Sequence, residues 1–583
     1  MAQAAALGLE SRAGTGAQEG ALARLAESHE SASAALQRRI SSGILRRAVK
    51  AWRAGDIVRS GQLALKATFA DEGHAQAYHL LAMCLERMGH RHKALVTYER
   101  AFELDPDDAD LLINLGLTAW ALKMTDGAKD MFRRFIALRP DSPLGYNNLG
   151  TILCEMGETH SAIEILRGAL QRMPAEPVLW NALATVLAES GRADESIVFY
   201  EEAIRLAPGF PRAYHNLGFA YSHLGRLDEA LAAYDNALAR AVDPKEILEG
   251  NHSRSVCLMG MGRLEEGFAE YEIRNSPRFR GHVQHMLRAP RWAGEPLAGK
   301  RVLVIGEQGL GDELMFATII PDLIDAVGPA GKLQIAVEPR LVSFFARSFP
   351  QAQVGAYDDR VVPGADGAQE VRFVLWAMRD SEPDFFVTMG SALQFFRKRL
   401  EDFPTRPIFA ADPARVAEYR CRLRAMGRGP FVGICWRSMM QDIKRQKYFS
   451  PLDAWEPVLK ADGVTFVNVQ YGDCGDDLAR TRAQFGIDIK VFDDLDLKND
   501  IEGAAALSSA LDLVLSAPTA AAAIAASTGT EVWFLTAGRT WPQLGTDRFP
   551  WYAKTRVLSP QKFGDWNELM PRVARELEAF ARS

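Results

Sequence analysis

The sequence predicts a two-part fold: an all-α array of helical hairpins, then an α/β region of two parallel-sheet lobes. Three observations predict it. Five residue series keep a 34-residue period between about residues 41 and 281. That period vanishes near residue 300. Beyond it, short apolar runs alternate with helical stretches, as in doubly wound α/β lobes.

A chain of 583 residues is too long for one core. The net charge of −6 gives no general attraction for nucleic acid or an anionic membrane, so neither is an expected partner. Cys84, Cys154, Cys257, Cys421, Cys435 and Cys474 are far apart and form no C-x-x-C pair. They read as reduced thiols of a cytoplasmic protein. No charged start leads into an apolar run, so no signal peptide is expected. No apolar run approaches the length of a membrane span.

The repeats are read by register. Steps of 34 from Tyr78 reach Leu112, Tyr146, Trp180 and Tyr214. From Ala82 they reach Gly116, Gly150, Ala184 and Gly218. From Gly89 they reach Lys123, Gly157, Gly191 and Gly225. Two more series start at Ala94 (Ala128, Ala162, Ser196, Ala230) and Tyr98 (Phe132, Leu166, Tyr200, Tyr234). Pro106, Pro140, Pro174 and Pro208 close successive units. The small residue lets paired helices approach. Glycine suits a left-handed turn between them, and proline stops each pair. A degenerate first unit carries Ile44, Ala48, Gly55, Ser60 and Ala67; a last unit, displaced by three residues, carries Gly262, Gly267 and Tyr271.

This pattern resembles the tetratricopeptide repeat, in about seven units over 41–281. The resemblance implies a superhelix that binds a protein partner, and the array is expected to be separable. Residues 1–40 read as a tail and capping helix. Asn114, Asn148 and Asn216 share one repeat position, interrupted by Leu80 and Ala182. They are either solvated polar positions or acceptor-binding amides, as in the repeat domain of peptide O-linked N-acetylglucosamine transferases.

A linker at 282–299, with Pro290, Trp292, Gly294 and Pro296, leads to lobes expected at 300–425 and 426–583. The first opens with the strand Arg301–Ile305, glycines at 306, 309 and 311, and an amphipathic helix over Glu313–Ile324. The spacing does not fit a dinucleotide fingerprint. The second opens at Phe431–Trp436, with strands at Thr465–Gln470, Asp512–Ser516 and Val532–Thr536 and helices near 451–460, 475–485, 501–510 and 519–528. A ligand cleft is expected at the carboxyl ends of these strands.

Gly306-Glu-Gln-Gly-Leu-Gly-Asp312, with its helix and Pro321, resembles the opening of the heptosyltransferase-like GT-B glycosyltransferases. Val432–Arg437, Val469–Gly472 and Leu511–Ser516 match that family's second lobe. The whole arrangement is similar to bacterial flagellin glycosyltransferases that fuse such repeats to this domain. The resemblance implies an N-terminal tetratricopeptide superhelix followed by a GT-B-like α/β glycosyltransferase domain. Its donor would be a CMP-linked nonulosonic acid such as pseudaminic acid, its acceptor Ser/Thr of flagellin, and it would need no resident cofactor. The family's Asp-Thr pair and later His read Pro518-Thr519 and Ala523 here. That change points to a donor other than a diphosphate-heptose, or to a lobe without catalysis. A peptide-binding adaptor and a surface-polysaccharide transferase are the alternatives.

Asp312 matches the family's proposed base; after a glycine turn it also suits a helix cap. Glu307 and Glu313 are substitutes. Gly309 and Gly311 line the phosphate side. Arg437, Lys444, Arg445 and Lys447 crowd one loop and suit a departing phosphate. Thr519 and Ala520 begin a small-residue helix whose free amides suit the same group, with Pro518 expected at its first position. Gln470 and Tyr471 are expected to meet the base or ribose, and Arg539 to close over the donor or clasp the lobes. Asp494 and Asp496 would be the carboxylate pair of a Mg²⁺ site; Asp496 reads better, with Asn499 and Asp500, as the organiser of a loop before helix 501–510, so no metal is expected.

Overall fold

The computed structural model describes residues 12–279, 281–364, 367–379, 381–439 and 443–582. The chain packs as two compact units, Met1–Leu153 with Pro363–Gln369, and Cys154–Val362 with Glu370–Ser583.

The first unit holds α1 (Arg12–Arg53), α2 (Ile57–Ala70), α3 (Ala75–Arg87), α4 (Arg91–Leu104), α5 (Ala109–Ala121), α6 (Thr125–Leu138) and α7 (Pro143–Glu155) as far as Leu153. The second begins with α8 (Thr159–Arg172), α9 (Pro177–Glu189), α10 (Ala193–Leu206), α11 (Pro211–His223), α12 (Leu227–Leu238), α13 (Pro244–Gly260) and α14 (Leu264–Tyr271). The periodic residues carry these hairpins. Tyr98, Phe132, Leu166, Tyr200 and Tyr234 are buried, as are Ala94, Ala128, Ala162, Ser196 and Ala230. A Cβ on Gly116 would sit 2.7 Å from the Phe132 ring, and one on Gly218 2.8 Å from Tyr234, so these helix pairs need glycine to close. The turn series has positive φ throughout, from Gly55 to Gly262, and Lys123 adopts φ 65 in its place.

One expectation about this half changes. α1 runs unbroken from Arg12, so capping helix and first repeat helix are one element; of the tail and capping helix expected over 1–40, residues 1–11 lie outside the described residues. The repeats from α8 onward form a single compact unit with both lobes. Met259, Leu264, Phe268 and Tyr271 share a hydrophobic core with Val302, Val304 and Phe316.

The linker contributes β1 (Val283–His285). The first lobe contains β2 (Arg301–Ile305), α15 (Leu310–Phe316), α16 (Ile320–Val327), β3 (Lys332–Val337), α17 (Val342–Ser348), β4 (Gln353–Ala356), β5 (Asp358–Gly364), β6 (Gly367–Phe373), β7 (Phe385–Thr388) and α18 (Met389–Phe396). Its sheet order is β4-β3-β2-β7, all parallel. β1 pairs with the end of β6. The helix expected at 313–324 is two helices joined by a 3-10 turn at Ala317–Ile319. Pro321 removes the amide that would have continued it.

The second lobe contains α19 (Pro413–Met426), β8 (Phe431–Cys435), α20 (Ile443–Gln446), α21 (Glu456–Leu459), β9 (Thr465–Asn468), α22 (Gly475–Phe485), α23 (Ile501–Ala510), β10 (Leu513–Ser516), α24 (Ala520–Ser527), β11 (Glu531–Leu535), β12 (Thr555–Leu558) and α25 (Trp566–Arg582). Its parallel sheet runs β12-β11-β10-β8-β9. α19 packs on α23.

Candidate functional site

A cleft of about 450 Å³ lies between the lobes. The turn after β2 supplies Gly309, Gly311 and Asp312; the second lobe supplies Ser438, Tyr471, Thr519 and Ala520. The lobes nearly touch here. A Cβ on Gly311 would meet Ala520 Cα at 3.6 Å and Ala523 Cβ at 3.8 Å. Ala523, where the resembling family has His, therefore sits where α15 and α24 pack closely, and a larger side chain would part them.

Asp312 is half-buried, and its Oδ2 accepts from the Gly309 amide at 3.2 Å. Burial pushes its carboxyl above the ordinary aspartate value; the Gly309 amide opposes this, neighbouring Glu307 adds to it, and Arg445 opposes it. Asp312 thus caps α15 and also lines the cleft as a base of raised affinity for protons.

The substitutes do not share that position. Glu307 takes Arg274 Nη2 at 2.8 Å and Nε at 3.1 Å, and the Gly390 amide at 2.6 Å. Burial alone would raise its carboxyl, but Arg274 outweighs burial and holds it below the usual range. Glu313 is fully buried, accepting from Tyr357 Oη at 2.5 Å and from the Glu338 amide at 3.1 Å. Burial lifts it to about 7.

Thr519 is the N-cap of α24, with Oγ1 accepting from the Ala522 amide at 3.4 Å. Ala520 is therefore the first helical residue, and Pro518 precedes the cap instead of opening the helix. The amides of Ala520 and Ala521 have no carbonyl to bond within the helix, and both residues line the cleft.

The basic loop divides. Arg445 acts on both Asp312 and Tyr471 electrostatically. Arg437 Nε is held by Asp477 at 3.0 Å. Lys447 Nζ turns to Glu189 of α9 at 2.7 Å, because that carboxylate comes within reach when the repeats pack on this lobe. The Lys444 side chain lies outside the described residues. Gln470 is buried below the cleft, where its Oε1 accepts from the Trp436 and Arg437 amides at 3.2 and 3.1 Å; it shapes the loop from beneath. Tyr471 reaches the cleft. Arg539 lies outside it, against the repeat turn at Gly225.

Asp494 pairs with Arg422 at 2.6 Å, and Asp496 caps its own loop through the Lys498 and Asn499 amides. On the repeats, Asn114 bonds His79 at 2.9 Å, Asn148 is buried beside Asn147, and Asn216 donates to Asn181 at 3.1 Å. Asn114 and Asn216 thus engage neighbouring side chains, whereas Asn148 only accepts from Asn147 through Oδ1 and its buried Nδ2 has no partner among the described residues.

Sequence reading missed several contributors. Arg340 and Lys498 line the cleft from opposite lobes, Arg340 Nη1 donating to the Lys498 carbonyl at 2.9 Å. The run Leu333–Val337, apolar but for Gln334 and ending in Glu338-Pro339, was a signal for Arg340, since it marks a strand's carboxyl end. Arg274 left no such signal, because its partner Glu307 is distant in sequence. Gln308, at φ 67, is likewise fixed by a hydrogen bond to Tyr271 Oη at 2.5 Å.

Segments 75–118, 110–142, 147–211 and 187–248 match family models described as tetratricopeptide repeat. Protein FlbA of Caulobacter vibrioides is 39% identical over 546 residues, covering 92% of this chain and 90% of its own. Among solved structures, YrrB, a TPR protein with an unusual peptide-binding site, is 24% identical at a TM-score of 0.24. It matches over 95% of its length and 32% of this chain. MamA is 28% identical at a TM-score of 0.24, over 94% of its length and 27% of this chain. A thermophilic TPR protein of Thermus thermophilus is 26% identical at a TM-score of 0.28, over 99% of its length and 32% of this chain. No helix among the described residues is long and apolar enough to cross a membrane.

Proposed function

The chain belongs to the FlbA family, and from that premise we propose that it is a metal-independent glycosyltransferase that moves a CMP-activated nonulosonic acid onto Ser or Thr of flagellin. The single observation that carries this reading is Asp312 facing the start of α24 across one cleft. Transfer to a hydroxyl needs a base for the acceptor and stabilisation of the departing phosphate. Asp312 takes the proton. The Ala520 and Ala521 amides, with Arg445, take the phosphate charge. Arg340 and Lys498 add positive charge for an anionic donor. Flagellin as acceptor is supported by the sequence resemblance to the flagellin glycosyltransferases.

Pro518 and Ala523, in place of the Asp and His of the resembling family, favour a second reading, an adaptor without catalysis. Calorimetry of the full chain with CMP in EDTA separates the two. The transferase reading expects saturable binding, weakened at least tenfold by Arg445→Ala. Absence of binding to CMP and to other nucleotides favours the adaptor. Binding that requires Mg²⁺ contradicts the metal-free assignment.

A further inference from the structure

A second cavity of about 430 Å³ opens between α11 and α13 of the repeats and the second lobe. It shares Pro518 with the catalytic cleft, and Trp541 here adjoins Pro542 there. Its walls are aromatic. Phe219, His223, Tyr448 and Phe563 stand around one side, with His223 4.2 Å from Phe219 and 5.1 Å from Phe563 between ring centroids. Phe219 keeps 37% of its surface exposed although it lies at this mouth. Burying such a ring is favourable, so its exposure is unspent binding surface.

The polar groups of the cavity are fixed or waiting. His223 Nδ1 faces the Phe219 carbonyl at 2.9 Å and so must carry the proton; Nε2 then accepts from Tyr448 Oη at 2.6 Å. Thr536 and Thr540 differ. Both line the cavity, Thr536 at 1% exposure, and neither hydroxyl has a hydrogen-bond partner among the described residues. A buried hydroxyl without a partner costs free energy that a bound ligand can recover. Arg539 of the second lobe lines the cavity beside the repeat turn at Gly225, and Lys447, also of the second lobe, is already paired with Glu189.

We propose that this cavity anchors a large apolar or aromatic side chain of the acceptor polypeptide, a few residues from the Ser or Thr that reaches Asp312, with the acceptor backbone bonding Thr536. The inference rests on the polypeptide-acceptor reading and deepens it, by naming what the acceptor must carry. An extended chain advances roughly 3.3 Å per residue, so adjoining cavities suit one short segment. The aromatic walls match an apolar side chain. The phosphate-binding elements lie in the other cavity, where the donor is placed.

The test uses the full chain and fluorescein-labelled 13-residue peptides with a central Thr in a Gly/Ser/Ala background, one Phe being moved through each position. Anisotropy should show at least tenfold tighter binding for Phe at one position within about five residues of Thr. Phe219→Ala should erase that advantage, Thr536→Val should reduce it, and CMP affinity should hold in both. Equal binding of all peptides, or an advantage that survives Phe219→Ala, overturns the proposal. So does loss of CMP affinity in Phe219→Ala, which would make the cavity part of the donor site. Failure of the transferase reading is seen separately, as absence of nucleotide binding in the parent chain.

Discussion

Glu307, Asp312 and Glu313 follow one strand yet face three environments. Glu307 is neutralised by a buried arginine, Asp312 lines a cleft, and Glu313 is sealed behind the sheet. Sequence made all three candidate bases; only packing separates them, since Glu307 precedes α15 and a one-residue step along α15 turns Glu313 roughly 100° from Asp312. Glu313 gives a test of this sorting. Its pKa near 7 when folded exceeds the ordinary glutamate value. Its contribution to stability is therefore full below that ordinary value and lost as pH rises towards 7. Glu313→Gln removes the titration. The melting temperature of the variant relative to the parent should rise between pH 5 and pH 8. A difference independent of pH would show that Glu313 ionises normally, despite its contacts with Tyr357 and the Glu338 amide and the nearby Arg372.

At the scale of elements, the repeats were legible because each hairpin repeats one mechanical solution. Even the exception was readable: Lys123 stands where the register requires a left-handed turn, and it adopts φ 65. That conformation costs a non-glycine residue about 1 kcal/mol or more. Lys123→Gly should raise stability by about 1 kcal/mol in chemical denaturation, and an unchanged or lower midpoint would deny that the turn is strained. The second-lobe strands were legible as apolar runs. In the first lobe, β4 and β7 are only four residues long and the apolar run of β3 is interrupted by Gln334, so these strands were less legible. The start of α24 was misplaced by two residues, since Pro518 suits the first helical position and only the Thr519 bond to Ala522 fixes the cap at 519.

At the scale of the molecule, the period ends where the hairpins end, but the packing does not. α8 to α14 belong to the same compact unit as the lobes. Arg274, just past the last repeat, is buried and grips Glu307 in the turn that presents Asp312. A pair so distant in sequence leaves no local pattern. Arg274→Ala leaves Glu307 buried and unpaired and should cost about 3–5 kcal/mol. Thermal unfolding of the full chain reads this; a loss below about 1 kcal/mol would mean that water reaches Glu307 and that the clamp is weak.

The central claim is that Asp312 serves as the base for transfer to a polypeptide hydroxyl. Intact-mass spectrometry of flagellin, incubated with the full chain and a CMP-nonulosonic acid, measures this directly. Asparagine at 312 keeps an oxygen for the Gly309 amide, so Asp312→Asn should retain its melting temperature and CMP affinity. It should transfer sugar at least a hundredfold more slowly than the parent, within the range of roughly 10²–10⁴ that a positioned base contributes. Transfer by Asp312→Asn at the parental rate would leave Asp312 as a helix cap alone and contradict the account.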